Sequence, residues 1–220
     1  TPAGMKRLFS TLVIWMLLLT SCKQYTPTPS EAVFFLPGGV EKRQEEALNQ
    51  QIRTRLNALL YTSVKYTITV NKDETVTIHF EDYTLSSAES ALLCNRRDTP
   101  VVVDVEGKTV LSPHQWTKAT FVLDTTSTNP ADAMYAIVLE LTEEGKKQIL
   151  IESGRILATK NPVVRVKFGQ EVLAEMAVHS RITGEAGLSL TGFSLDEARL
   201  GVAKLCLPPL DFDLSPNKII

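Results

Sequence analysis

Residues 64–80 read Val64-Lys65-Tyr66-Thr67-Ile68-Thr69-Val70-Asn71-Lys72-Asp73-Glu74-Thr75-Val76-Thr77-Ile78-His79-Phe80. Val64, Tyr66, Ile68 and Val70 alternate with Lys65, Thr67 and Thr69, a period of two that sends successive side chains to opposite faces of a half-buried strand. A polar turn over 71–74 follows, and Val76, Ile78 and Phe80 alternate again, so the stretch predicts a β-hairpin. Upstream, the apolar run 32–36 is a short strand ended by Pro37-Gly38-Gly39. Residues 41–60 then place Leu48, Ile52, Leu56, Leu59 and Leu60 on one helical face. Downstream, Ser86 and Glu89 match a capping box opening a short helix through Leu93, and Pro100 introduces a strand over 101–105 ended by Glu106-Gly107.

Read in order, residues 31–118 predict βαββαβ, a ferredoxin-like unit with two helices on one face of an antiparallel sheet. A second α+β unit is expected over 119–208. Residues 121–124 and 135–141 read as strands separated by a Thr/Ser/Asn/Pro loop, and Thr142 caps a helix to about Glu152. Val164, Val166 and Phe168 alternate with Arg165 and Lys167; after Gly169-Gln170, Val172, Ala174, Met176 and Val178 alternate in turn, predicting a second hairpin. Leu188 and Leu190 suggest one more strand. Ser194 with Glu197 caps a helix whose stripe is Leu195, Ala198, Val202 and Leu205, and Pro208-Pro209 ends it. The tail, 209–220, is expected to be poorly ordered. The fold class is α+β, in two small units.

The N-terminal segment addresses location. Residues 1–4 precede Met5 and read as an expression scar or a mis-assigned start. Lys6 and Arg7 supply a positive patch, 12–19 an apolar run too short to span a bilayer as a stable helix, and Leu19-Thr20-Ser21-Cys22 small residues before a cysteine. This arrangement resembles the signal peptide and lipobox of bacterial lipoproteins, with the leader over 5–21. The resemblance implies that Cys22 is lipidated and becomes the first mature residue. Two or three acyl chains anchor stably where one is marginal, at about 0.8 kcal/mol per buried methylene. Lys23, rather than Asp, resembles an outer-membrane address facing the periplasm. Residues 22–30, with Pro27 and Pro29, read as a lipidated cysteine and flexible tether.

A second resemblance rests on Ile182-Thr183-Gly184-Glu185-Ala186-Gly187-Leu188-Ser189-Leu190-Thr191-Gly192-Phe193-Ser194-Leu195-Asp196-Glu197-Ala198, followed by Leu205 and Leu207-Pro208. The run is similar to the end of the large periplasmic domain of the SecD protein-export subunit. Leu139-Glu140-Leu141-Thr142-Glu143-Glu144-Gly145 is similar to that family's strand-to-helix junction. The similarity covers 119–208, the head part; the first unit agrees with the family at the level of fold. SecD's membrane helices have no counterpart here, and the Asp-Gly hairpin usual in the family is replaced by residues 172–179. Export-motor activity is therefore not carried over. What the resemblance implies is a domain that touches unfolded or partner polypeptide outside the cytoplasm.

The chemistry-bearing residues form no strong constellation. His79, His114 and His179 lack partners at metal-ligand spacing, and no CxxC, HExxH or Walker-type loop occurs. No cofactor or metal is expected. A triad of Ser112, His114 and Asp104 can be written down, but no nucleophile-elbow pattern supports it. Glu143-Glu144 read as first-turn helix charges, Asp211 and Asp213 as a solvated tail, and Gly184, Gly187 and Gly192 are too widely set for a phosphate cradle. Cys94 and Cys206 each end a predicted helix, one per unit. They are either a disulfide stapling the units in an oxidising envelope or two separately buried thiols.

At 220 residues, 44% hydrophobic and 22% charged, the chain is an ordinary globular one. A net charge of −2 offers no basic field for nucleic acid. The expected function is that of a non-enzymatic outer-membrane lipoprotein binding polypeptide or an envelope assembly partner through a sheet edge or the groove between units. The alternatives are an accessory lipoprotein of a secretion or conjugation machine and, third, an envelope hydrolase.

Overall fold

The computed structural model describes residues 28–60, 63–124 and 134–219. The expected leader, Cys22, most of the expected tether and residues 125–133 of the predicted polar loop lie outside the described residues. In chain order the elements are β1 (Ser30–Phe35), α1 (Lys42–Leu59), β2 (Tyr66–Val70), β3 (Thr75–Phe80), α2 (Ser87–Cys94), β4 (Pro100–Asp104) and β5 (Thr109–Leu111). A 3-10 turn (Pro113–Gln115) leads into β6 (Trp116–Leu123), β7 (Tyr135–Leu141), α3 (Glu143–Leu157), β8 (Val163–Phe168) and β9 (Glu171–Ala177). β10 (Leu188–Phe193), α4 (Leu195–Cys206) and β11 (Ser215–Ile219) complete the order. The α+β reading holds, and both expected hairpins form.

Topology corrects the division into two consecutive units. The first sheet has the order β11-β1-β3-β2, with every pairing antiparallel. That is the ferredoxin-like sheet, but its closing strand is β11, from the tail expected to be poorly ordered. β4, the strand expected to close it, instead lies in a second sheet, β5-β4-β8-β9. The third sheet, β10-β7-β6, completes the head. The expected boundary between residues 118 and 119 falls inside β6. The head is thus an insertion between α2 and β11 of the base, joined to it by two connectors, 95–99 and 207–214. Ser215-Pro216-Asn217-Lys218-Ile219 lacks alternation and contains proline, so nothing local marks it as a strand; it becomes one by pairing with β1, Phe35 opposite Ser215 and Ala32 opposite Ile219.

Two cores follow from this arrangement. In the base, Phe34, Val76, Ile78 and Phe80 from the sheet pack on Leu48, Ile52 and Leu56 of α1 and Leu93 of α2. In the head, Ile137, Leu139, Val164, Val166 and Leu190 surround Ile149 of α3. α4 serves both: Ala203 belongs to the base core, Ala198 and Leu205 to the head core. The glycine-rich run before β10 has a packing reason. Gly187 adopts φ +78°, and a Cβ there would sit 2.5 Å from the Leu139 carbonyl oxygen. Only glycine lets the chain turn this close to β7.

Candidate functional site

The connectors and the end of α4 bound a cleft of about 480 Å³ between head and base. Its walls are largely apolar, with Pro100, Pro113, Trp116, Leu205, Leu207 and Pro208 contributing. Trp116 begins β6 directly after the 3-10 turn, and its indole Nε1 donates to the Leu205 carbonyl oxygen at 3.2 Å. The ring is therefore fixed as a wall and is only 7% exposed. Proline at four lining positions removes main-chain donors from the walls and stiffens them.

Arg55, 2% exposed, closes the base side. Its Nη1 donates to the Leu92 and Leu93 carbonyls at 3.1 and 2.9 Å, which are last-turn carbonyls of α2. Nε and Nη2 donate to the Pro208 carbonyl at 3.0 and 2.7 Å. One guanidinium thus ties α1, the end of α2 and the second connector together. Burial lowers its pKa to about 10, so it remains charged at neutral pH. The same burial pushes the neighbouring Cys94 thiol up to about 12. Arg96 and Asp98 line the cleft from the first connector; Asp98 accepts from Asn95 Nδ2 at 2.8 Å.

A second polar junction fastens α4 to the base. Glu89, 1% exposed, accepts from Arg199 Nη1 at 2.6 Å, from the Ser86 N–H at 2.8 Å and from the Tyr83 hydroxyl. Arg199 Nη1 also donates to the Leu59 carbonyl at 2.8 Å. Burial alone would raise the Glu89 pKa; the donors from Tyr83, Ser86 and Arg199 outweigh it and hold the carboxyl below its usual range.

The candidate triad is not assembled. Asp104 is committed to the β4–β5 turn, accepting from the Glu106 and Lys108 N–H groups and from Arg155 Nη2 at 2.6 Å. Ser112 N–H donates to Gln115 Oε1 at 2.8 Å, and the exposed His114 lies 3.8 Å from Glu144. His79 Nδ1 is 2.9 Å from Glu31 Oε1 on an open strand face, and His179 is exposed. Among the described residues no group of His, Cys, Asp and Glu could hold a metal. Cys94 and Cys206 are free thiols, unbonded to each other, with Cys206 in the cleft wall. Asp211 is solvent-exposed but tethered: its N–H donates to Gln51 Oε1 at 3.0 Å and its Oδ2 accepts from Gln51 Nε2 at 2.6 Å.

Arg55 and Trp116 escaped the reading of the sequence. A signal for Arg55 exists: it falls in the apolar stripe of α1, three residues after Ile52 and four before Leu59, where a cation is out of place unless it is buried and bonded. Trp116 carried none, because its role depends on a helix end 89 residues away.

No protein-family model matches the chain, and no curated protein matches it by sequence. Solved structures do. The crystal structure of SecDF in a super-membrane-facing form superposes with a TM-score of 0.60 at 15% identity, covering all of this chain and 35% of that one. A second SecDF crystal structure, a translocon-associated membrane protein from Thermus thermophilus, covers the whole chain at the same identity with a TM-score of 0.38. The chain thus spans about a third of the length of the SecDF chains it matches, and the likeness is one of fold.

Proposed function

We propose that this chain is a non-enzymatic, export-related envelope protein that holds an extended polypeptide segment in the cleft between head and base. The observation that carries the reading is the cleft itself. Its volume lies within the roughly 300–1,000 Å³ of ligand sites, and its walls are apolar and proline-rich with a few charged groups at the margin. Such walls accept apolar side chains and an extended backbone without demanding one sequence. The fold shared with SecDF agrees with it.

The test uses Trp116 as reporter, the one tryptophan left once the leader over 5–21, which carries Trp15, is removed. Titration with a reduced, carboxymethylated unfolded protein should shift the Trp116 emission saturably. Thr117→Arg, at an exposed lining position, should weaken binding by at least about tenfold, or 1.4 kcal/mol, without changing the melting temperature. Equal binding by the variant would place the polypeptide elsewhere.

The anchor belongs to the same proposal: Cys22 carries the lipid, the partner is an envelope protein or polypeptide, and the protein sits on the outer membrane facing the periplasm. Among the described residues no helix is long and apolar enough to cross a membrane. Mass analysis of the mature N-terminus should find a lipid-modified Cys22, and Cys22→Ser should release the protein from membranes. A mature chain starting at any other, unmodified residue would refute the anchor and leave the cleft reading standing.

A further inference from the structure

The base sheet leaves β2 as an edge, and this edge is built to accept a strand. The Asn71 N–H donates to the Thr75 carbonyl at 2.8 Å and the Glu81 N–H to the Lys65 carbonyl at 3.2 Å, while the register runs unbroken from Tyr66 opposite Phe80 to Val70 opposite Val76. In an antiparallel pair the bonded residues alternate. Lys65, Thr67, Thr69 and Asn71 therefore turn their main-chain groups toward β3. The N–H and C=O of Tyr66, Ile68 and Val70 point away from it, toward the open side.

Among the described sheet edges β2 alone lacks the usual protections, which are proline, glycine, charge, irregular pairing or extreme shortness. β11 carries Pro216 and Lys218, and β5 has three residues. β9 carries Glu171 and Glu175 and an irregular register with β8. β10 is broken at Gly192, φ +93°, and β6 carries Lys118 with an irregular register against β7. In contrast, Tyr66-Thr67-Ile68-Thr69-Val70 is uncharged and regularly paired, and the lysine that precedes it, Lys65, is ion-paired with Glu81 at 3.4 Å. Its Tyr66, Ile68 and Val70 side chains pack on the base core yet stay half-buried, an apolar flank left unfinished at the sheet margin.

The segment is also close to its own mirror along the chain. We propose that β2 pairs antiparallel with β2 of a second copy across a two-fold axis at Ile68, joining two four-stranded sheets into one. In that register Tyr66 faces Val70 of the second copy, Thr67 faces its Thr69, and Ile68 faces its Ile68. The outward main-chain groups of one copy meet the outward groups of the other, and each of the three pairs exchanges two hydrogen bonds. The threonines pair on the exposed face, and the apolar residues close the flank over the cores. A two-fold contact of this kind is self-limiting, because each copy has one such edge. It lies on the base and is independent of the cleft.

Sedimentation equilibrium of the full chain in density-matched detergent tests the seam and its register together. The wild type should show a reversible monomer–dimer equilibrium. Thr67→Lys with Thr69→Lys sets like charges opposite each other twice and should raise the dimer dissociation constant by about tenfold. Thr67→Lys with Thr69→Glu sets Lys opposite Glu twice and should restore the wild-type constant or tighten it. Both changes lie on exposed positions, and unchanged circular dichroism checks the fold. A wild type that stays monomeric at every concentration, a dimer indifferent to the double lysine, or a Lys/Glu variant as weak as the double lysine would each overturn the proposal.

Discussion

Glu89 shows how one side chain can decide the attachment of a helix 110 residues away. Its first duty is local: Ser86 and Glu89 form the capping box that starts α2, a pattern visible in the sequence because it depends on a spacing of three. Its second duty, accepting from Arg199, was not visible, since it exists only after α4 has docked. The carboxyl's pKa lies below its ordinary value near 4.5, so its contribution to stability is present above that value and fades as pH falls through the folded-state pKa. Glu89→Gln keeps the shape but removes the charge facing Arg199. At pH 7 it should cost about 1–3 kcal/mol in urea denaturation. The gap to wild type should narrow as pH drops below about 4.5. A gap constant from neutral to acid would mean the charge contributes nothing. Arg55 makes the complementary point about legibility. Its position in the α1 stripe was readable, but its partners, the carbonyls of Leu92, Leu93 and Pro208, lie on segments whose approach no spacing predicts.

At the scale of elements, helices and hairpins were legible because their signals are short-range. The three cap residues Ser86, Thr142 and Ser194 each accept from the N–H three positions on, and 66–80 folds as its alternation predicts. Sheet membership was not legible. β4 is an almost wholly apolar run, Pro100-Val101-Val102-Val103-Asp104, equally suited to any central strand position, and it is central between β5 and β8. Residues 215–219 carry no strand signature and join the sheet by pairing with β1. That dependence gives a prediction. A chain ending at Leu214 keeps the buried Leu210 and Leu214 but strips the edge of β1 of its partner. Losing a five-residue strand should cost about 3 kcal/mol, or roughly 6–12 °C in melting temperature for a domain of this size. Calorimetry of the truncated chain decides it. An unchanged melting temperature would show β11 to be ornamental and restore the tail to the status the sequence suggested.

For the whole molecule, insertion of the head into the base changes what the two cores can do separately. Two consecutive units joined by one linker could unfold one at a time. Here the base cannot close its sheet until the chain has returned from the head, and α4 contributes Ala203 to one core while giving Ala198 and Leu205 to the other. Arg55 and the Glu89–Arg199 pair add polar ties across the same junction. Unfolding should therefore be a single transition. Phe34 is 1% exposed at the centre of the base sheet, and Phe34→Ala should remove about 3–5 kcal/mol. Trp116 sits in the head, and with the leader that carries Trp15 removed its fluorescence follows the head alone. If the cores are coupled, Phe34→Ala lowers the Trp116 midpoint by as much as the far-ultraviolet circular dichroism midpoint. Uncoupled cores would leave the tryptophan transition where it is in the wild type and split the two curves. Coupling also bears on the cleft. Its walls come from both units, so a polypeptide held there binds only the fully folded chain and should raise the single midpoint in proportion to the logarithm of its concentration.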